Sequence, residues 1–267
     1  MDFAIPQDLE DYYAELEAFI ENTIDPMVAR DDNIRFFDHR REDARTDWER
    51  GGLPSHDWED LLRECRKAAD AAGHWRFSAP KKYGGRDGSN LWMAVIRDRF
   101  AQRGLGLHND LQNEHSIVGN FPFVAMFETF GTEEQKQEFI NGGFEGTRRV
   151  AFGLTEPDHG SDISKGLATT AERQGDHWVL NGEKKWIGNA TFCDVLVVWA
   201  RDVADGQVKG FLVEKDTPGF NPQKMKHKMA LRVVQNANIQ LKDCRVPESH
   251  RLSNARSFAD TAKVLRM

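Results

Sequence analysis

The sequence predicts an α+β protein, with an all-helical N-terminal domain followed by an antiparallel β-barrel. Three observations predict it. Apolar residues recur at helical spacing through the first half of the chain. Near Arg149 the pattern changes to short apolar runs separated by turn residues. Those runs lie too close together to leave room for crossover helices.

The helical half reads in order. Leu9, Tyr12, Tyr13, Leu16, Phe19 and Ile20 form one apolar stripe. A charged, poorly periodic stretch from about Asp31 to Pro54 reads as an excursion over the surface. Ser55 is a good N-cap for a helix that buries Trp58, Leu61, Leu62, Cys65 and Ala69. Ala79-Pro80-Lys81-Lys82-Tyr83-Gly84-Gly85 is a turn-rich break. Helices are expected over Asn90–Ala101 and Asn113–Phe130. Ile117, Val118, Phe121, Val124 and Phe127 form a stripe that suits a core or an acyl pocket. Thr132-Glu133-Glu134-Gln135 fits a capping box and opens a helix that buries Phe139 and Ile140.

The strand-rich half begins with Val150-Ala151-Phe152-Gly153-Leu154. His177–Leu180, Asn181-Gly182 and Lys184–Ile187 read as a hairpin, because Asn-Gly tolerates the positive φ of a type I′ turn. Val195–Ala200, Gly210–Val213 and Asn238–Leu241 complete the run of strands. From Ser257 the pattern is helical again, with Phe258, Thr261, Ala262 and Leu265.

Composition narrows the function. With 39% hydrophobic and 30% charged residues the chain is polar, but 17 Phe and 7 Trp can build a core. The formal charge of −7 argues against general nucleic-acid binding. No apolar run approaches the roughly 20 residues a membrane helix needs. Met1-Asp2-Phe3-Ala4-Ile5-Pro6 lacks the pattern of a secretory or transit leader, so a cytoplasmic location is expected. Cys65, Cys193 and Cys244 lie far apart, without a CxxC, and read as ordinary thiols. His108, His115 and His159 lack metal-ligand spacing. There is no Gly-x-Ser-x-Gly elbow and no Gly-x-Gly-x-x-Gly loop.

Two stretches carry the chemistry. Phe152-Gly153-Leu154-Thr155-Glu156-Pro157-Asp158-His159-Gly160-Ser161-Asp162 leaves a strand, turns through Pro157 and Gly160, and presents Ser161 with successive backbone N–H groups that suit an anion such as a pyrophosphate. Phe152, Leu154 and Thr155 suit a flat aromatic ligand needing one hydrogen bond. An ordinary strand exit with a polar turn has the same composition. Asp158 and His159 read as a solvated turn, since neither shows an orienting partner. In the second stretch, Asn181 to Asn189, Trp186 and Ile187 suit a ring system or a core. Lys224, Lys226, His227, Lys228 and Arg232 form a basic cluster that suits a nucleotide phosphate or a solvated face.

Together the two stretches resemble the acyl-CoA dehydrogenase and acyl-CoA oxidase flavoproteins. Their spacing matches, as do Tyr83-Gly84-Gly85, Phe130–Lys136, Asp216-Thr217-Pro218-Gly219-Phe220 and Val246-Pro247. Gly153–Pro157, Trp186-Ile187-Gly188-Asn189 and Leu231–Asn236 carry a closer likeness to the branch with glutaryl-CoA dehydrogenase and the short-chain acyl-CoA oxidases. The resemblance implies a helical N-terminal domain at 1–148, a middle flavin-binding β-barrel at 149–250, and at 251–267 the start of a four-helix domain that is otherwise absent. It implies FAD as cofactor, with Phe152, Leu154 and Thr155 facing the isoalloxazine, Gly160 and Ser161 at the pyrophosphate, Ser161 also near the acyl-CoA thioester, and Trp186, Ile187 and Gly188 approaching the ring. The implied reaction is α,β-dehydrogenation of an acyl-CoA to a trans-2-enoyl-CoA, in which a carboxylate takes the α-proton and the β-hydride passes to the flavin. No counterpart of that carboxylate is found before Met267, so the chain alone is expected to be inactive. The electron acceptor is an electron-transfer flavoprotein or, in an oxidase, oxygen. A homotetramer is implied for the full-length enzyme. A flavin-free binding or assembly module on the same fold is the non-enzymatic alternative. Many family members carry Thr or Ser where this chain has Gly188, which removes a hydroxyl beside the ring.

Overall fold

The computed structural model describes residues 4–110 and 116–264, which divide into two compact units, Met1–Phe121 and Pro122–Met267. The leader reading of Met1-Asp2-Phe3, the histidine at 115 and the last apolar position, Leu265, lie outside the described residues.

In the first unit, α1 (Gln7–Phe19) buries Leu9, Tyr12 and Leu16. It runs through one π-turn, Ile20–Ile24, into α2 (Asp25–Ala29), with Pro26 in the first turn of α2. The charged stretch that follows is not a surface excursion. It holds a 3₁₀ turn (Asn33–Phe37), α3 (Arg41–Arg45) and an antiparallel pair, β1 (Thr46–Asp47) with β2 (Leu53–Pro54). The cause is Arg45, whose side chain is fully buried. It donates to Phe36 O at 2.9 Å, pairs with Asp110, and lies over the Trp58 ring at 3.8 Å. A guanidinium paired with a carboxylate, bonded to a carbonyl and laid on an indole face can be buried even with its Nη2 unbonded among the described residues, so a charged segment can line a core.

α4 (His56–Ala71) starts at Ser55 and buries the five predicted residues. Ser55 does not cap it; its hydroxyl donates to Ala44 O at 3.3 Å. α5 (Asn90–Gln102) is capped by Ser89, whose hydroxyl accepts from Trp92 N at 3.2 Å. The start of the helix expected from Asn113 lies outside the described residues. Ile117, Val118 and Phe121 are buried at the end of this unit.

The second unit opens with α6 (Pro122–Phe130) and α7 (Glu133–Glu145). The predicted capping box is present in both directions, and the Phe127 and Phe139 rings stack at 5.0 Å. Then come β3 (Val150–Gly153), the one-turn α8 (Ile163–Gly166), β4 (Thr170–Gln174), β5 (His177–Gly188), β6 (Val195–Asp202), β7 (Val208–Glu214), β8 (Phe220–Lys224), β9 (Asn236–Pro247) and α9 (Phe258–Val264). The seven strands form one sheet in the order β3-β6-β4-β5-β9-β8, with β7 also on β6. This corrects the antiparallel expectation: the sheet is mixed, since β6 pairs in parallel with both β3 and β4. Parallel neighbours need a long connection, not a helical one, and the β4–β5 hairpin serves as the crossover between β3 and β6.

Six consecutive β6 residues, Val195 to Ala200, are fully buried, as a central strand covered on both faces requires. Of these, Leu196, Val198 and Ala200 join Trp178, Leu180, Phe211, Val213, Ile239 and Leu241 in one core cluster.

The predicted hairpin also moves. β4 and β5 turn at Gly175-Asp176, while Asn181-Gly182 stays inside β5. Gly182 adopts φ +146°, and a Cβ there would lie 2.7 Å from Thr169 Cα. The glycine serves a close backbone approach, not a turn.

Candidate functional site

The β3 exit and the middle of β5 meet. Lys185 N donates to Thr155 O at 2.9 Å. One residue earlier, Lys184 Nζ donates to Leu154 O at 3.2 Å. The two stretches singled out in the sequence are therefore bonded to each other, and Thr155 meets the residue next to Trp186.

A β-bulge then shapes that edge. The register passes from Lys184↔Ile239 to Ile187↔Ala237, so Lys185 and Trp186 together face the single residue Asn238. The extra residue forces Trp186 into the left-handed region at φ +64°, which a tryptophan seldom adopts. Its carbonyl accepts from Asn236 Nδ2 at 3.2 Å. The indole is turned out of the barrel and is 52% exposed, while Ile187 beside it is buried. Gly188 is exposed, and a Cβ there would meet nothing within 4 Å. Asn189 follows at φ +61°, with its N–H on Gln235 O at 2.8 Å.

On the other stretch, Phe152 is half-buried with its ring 6.1 Å from that of Trp199, and Leu154 is buried. Thr155 is half-exposed, and its hydroxyl bonds to no other group among the described residues. Gly160 and Ser161 are exposed on the turn before α8. The turn is exposed, as expected, but it is internally braced. His159 Nδ1 lies 2.8 Å from Asp162 Oδ2, and a Cβ on Gly166 would strike the His159 ring. The His159 hydrogen bond holds the Asp162 carboxyl below its ordinary range. His159 thus has an orienting partner that spacing did not reveal. Thr155 thus meets the residue before Trp186, with Gly188 exposed two residues on, Leu154 and Ile187 buried, and Phe152 set against Trp199; we term these residues the shelf, and Gly160 and Ser161 lie further along the turn after Thr155.

Sequence reasoning missed what lies beneath. Glu156 and Lys184 form a buried ion pair at 2.8 Å, their side chains 3% and 0% exposed. Lys184 Nζ also donates to Trp199 O at 2.7 Å, so its three N–H donors are all used. Glu156 accepts from Ala168 N at 2.6 Å, from Thr169 N at 2.9 Å and from the Thr169 hydroxyl. Burial pushes the Lys184 ammonium down to about 8, against the opposing pull of Glu156. Burial also works against the Glu156 carboxylate. The Lys184 charge and the hydrogen bonds from Lys184, Thr169 and Ala168 outweigh it and hold the group below the ordinary carboxylate range. A signal was present: counting by twos from Trp178 and Leu180 places Lys184 on the inward face.

The basic cluster is partly structural. Lys228 Nζ donates to Leu231 O, Val234 O and Asn236 Oδ1, and so closes the loop before β9.

Comparison with known proteins decides the family. Residues 7–147 match the model of the acyl-CoA dehydrogenase N-terminal domain, and residues 151–244 that of the acyl-CoA dehydrogenase middle domain. The chain belongs to the acyl-CoA dehydrogenase family. It is 33% identical over 202 residues to a probable acyl-CoA dehydrogenase of Bacillus subtilis, covering 75% of this chain and 32% of that protein. It is 32% identical over 197 residues to the CarC subunit of the caffeyl-CoA reductase-Etf complex of Acetobacterium woodii, covering 72% and 50%. A glutaryl-CoA dehydrogenase of Mycobacterium smegmatis, solved in complex with FADH2, superposes with a TM-score of 0.68 at 26% identity, over 98% of this chain and 59% of that one. The chain thus spans a third to a half of these two sequence relatives. It carries the family fold of a helical domain and a curled mixed sheet. Among the described residues no helix is long and apolar enough to cross a membrane.

Proposed function

We propose that this chain supplies the flavin platform of an FAD-dependent enzyme that dehydrogenates an acyl-CoA thioester to its trans-2-enoyl-CoA. The observation that carries the reading is the bulge at Lys185-Trp186. It sets an exposed, backbone-constrained indole next to an unengaged Thr155 hydroxyl, with open space over Gly188. A left-handed tryptophan costs about 1–3 kcal/mol, and exposing the indole recovers nothing unless a partner covers it. A tricyclic ring fits this set: an apolar face to stack on, a hydroxyl to bond, and no side chain over Gly188. The M. smegmatis relative in complex with FADH2 supports the same assignment.

FAD, when bound, supplies the two-electron acceptor. The chain's own residues bind and orient. Trp186, Phe152 and Leu154 offer apolar contact, Ile187 and Gly188 line the approach, and Thr155 offers a hydrogen bond. Gly160 and Ser161 present N–H and hydroxyl groups to the pyrophosphate, and Ser161 also serves the thioester arm. The helical domain occupies 1–148, the flavin domain 149–250, and 251–267 opens a third region. An electron-transfer flavoprotein takes the electrons, as the Etf-complex relative supports, and the full-length protein assembles as a tetramer. Oxygen is the second acceptor to consider, since Gly188 leaves its position uncovered.

The test is reconstitution. The chain, mixed with FAD and desalted, should retain the visible flavin band, and Trp186→Ala should lose it at the same FAD concentration. A wild-type chain that stays colourless at saturating FAD overturns the reading.

A further inference from the structure

We propose that the buried Glu156–Lys184 pair is the positioning device that holds the Trp186 turn in the shape the flavin needs. The proposal rests on the flavin reading for its ligand, and on geometry alone for the turn.

The pair joins the segments that build the shelf. Through Lys184 Nζ it grips the β3 exit at Leu154 O, the following turn at Glu156, and β6 at Trp199 O. Through the Glu156 carboxylate it grips the residues that enter β4, Ala168 and Thr169. Lys184 is the last residue of β5 in register before the bulge, and Trp186 lies two residues on. The next backbone group, Lys185 N, is held by Thr155 O. Three consecutive β5 residues are thus an anchored side chain, an anchored backbone and a left-handed, exposed indole.

Stability alone does not call for this arrangement. Well-packed apolar residues often replace a buried ion pair without loss, because removing two charges from water is costly. An apolar pair cannot, however, bond three carbonyl or carboxylate groups on three segments at once. What the ionic version adds is placement, and the part placed is the turn that carries Trp186. Glu156 receives only donors, from Lys184, Ala168 and Thr169. A glutamine there must aim its NH₂ at one of those donors, while its size stays the same.

Three forms of the 267-residue chain decide the matter: wild type, Glu156→Gln and the apolar double variant Glu156→Leu/Lys184→Met. The first readout needs no flavin. Acrylamide quenching of the Trp186 emission, isolated by difference from matched Trp186→Phe proteins, reports how firmly the indole is held. The second is FAD affinity with the visible circular dichroism of the bound ring. The third is the thermal midpoint. The expected result is a rise of about twofold or more in Trp186 quenching in both variants and a loss of about tenfold or more in FAD affinity. The flavin dichroism should change, while the midpoint of at least one variant stays within a few degrees of wild type. Should the double variant fail to fold, the isosteric Glu156→Gln decides alone. Folded variants with wild-type quenching overturn the proposal. So do variants whose quenching rises and whose affinity falls only in step with a falling midpoint, as a purely structural pair would give. If the wild-type chain binds no FAD, the flavin reading fails, and the quenching still decides whether the pair positions Trp186.

Discussion

Replacing Gly182 by alanine tests the packing beneath the shelf. Gly182 sits inside β5 at φ +146°, and an added Cβ would lie 2.7 Å from Thr169 Cα, 2.7 Å from Thr169 Oγ1 and 2.9 Å from Thr169 Cβ. Two costs follow. A side chain in this region of φ costs of order 1–3 kcal/mol. Overpacking adds about 1–3 kcal/mol when neighbours cannot move aside. Thr169 cannot move aside cheaply, because its N–H and hydroxyl both serve Glu156 and its carbonyl accepts from Arg201 N at 2.8 Å. The expected loss is about 2–6 kcal/mol, against a total of about 5–15 kcal/mol for a folded domain. Urea unfolding followed by far-ultraviolet circular dichroism measures it, as a lower midpoint at unchanged slope. In a Thr169→Gly background two of the three close atoms are gone, so the same substitution should cost less. A loss below about 0.5 kcal/mol, the range of an ordinary surface change, refutes the close-approach argument.

Phe211 is fully buried against Trp178, and Phe211→Ala should cost about 3–5 kcal/mol in thermal unfolding; a shift under 1 kcal/mol would show that the β6–β7 layer is not the core. Thr132→Ala removes the α7 cap and should cost about 1 kcal/mol by the same assay. Gly188→Thr meets no neighbour, so the fold should keep its stability to within about 0.5 kcal/mol; in the flavin-loaded full-length protein, peroxide formation should fall, and an unchanged rate would clear Gly188 of any part in oxygen access. Lys184 titrates lower in the folded chain, near 8, than unfolded, near 10.5. The native state therefore sheds a proton that the unfolded chain keeps across that window, and the group adds stability as pH rises through it. Urea midpoints at pH 7 and pH 9.5 should show wild type gaining on Lys184→Met, and equal changes would contradict the burial of the ammonium.

The helices were legible because their signals are local. The Thr132–Gln135 box and the Trp58–Ala69 stripe lie within a few turns of chain, and the structure carries both. Strands β3, β5, β6, β7 and β9 were legible for the same reason, whereas the polar β4 and β8 carry no apolar run and were not read as strands. Their pairing was not, because a parallel partner such as β3 for β6 lies about forty residues away and leaves no mark on either run. Arg45 shows the same limit from the other side. In sequence it is one more charge in a charged stretch, and only Asp110 and the Trp58 ring, distant in the chain, make its burial possible.

The candidate site divides along that line. Apolar and hydroxyl residues at a strand exit announce a surface, and the exit residues Leu154 and Thr155 are bonded to Lys184 and Lys185, next to Trp186. The bulge that turns Trp186 outward cannot be read from Lys184-Lys185-Trp186-Ile187, since it is a count of two residues against Asn238 on β9, some fifty residues on. A strand read alone has no such count. With regular pairing Trp186 would follow Lys184 and Leu180 onto the inward face, and its ring would fill the barrel. One extra residue reverses it to solvent, directly after Lys184, which regular alternation already places in the interior, where its charge must find Glu156. The buried ion pair and the exposed indole thus lie on either side of one insertion, and a sequence change that removed the bulge would turn Trp186 inward while leaving Lys184 where it is.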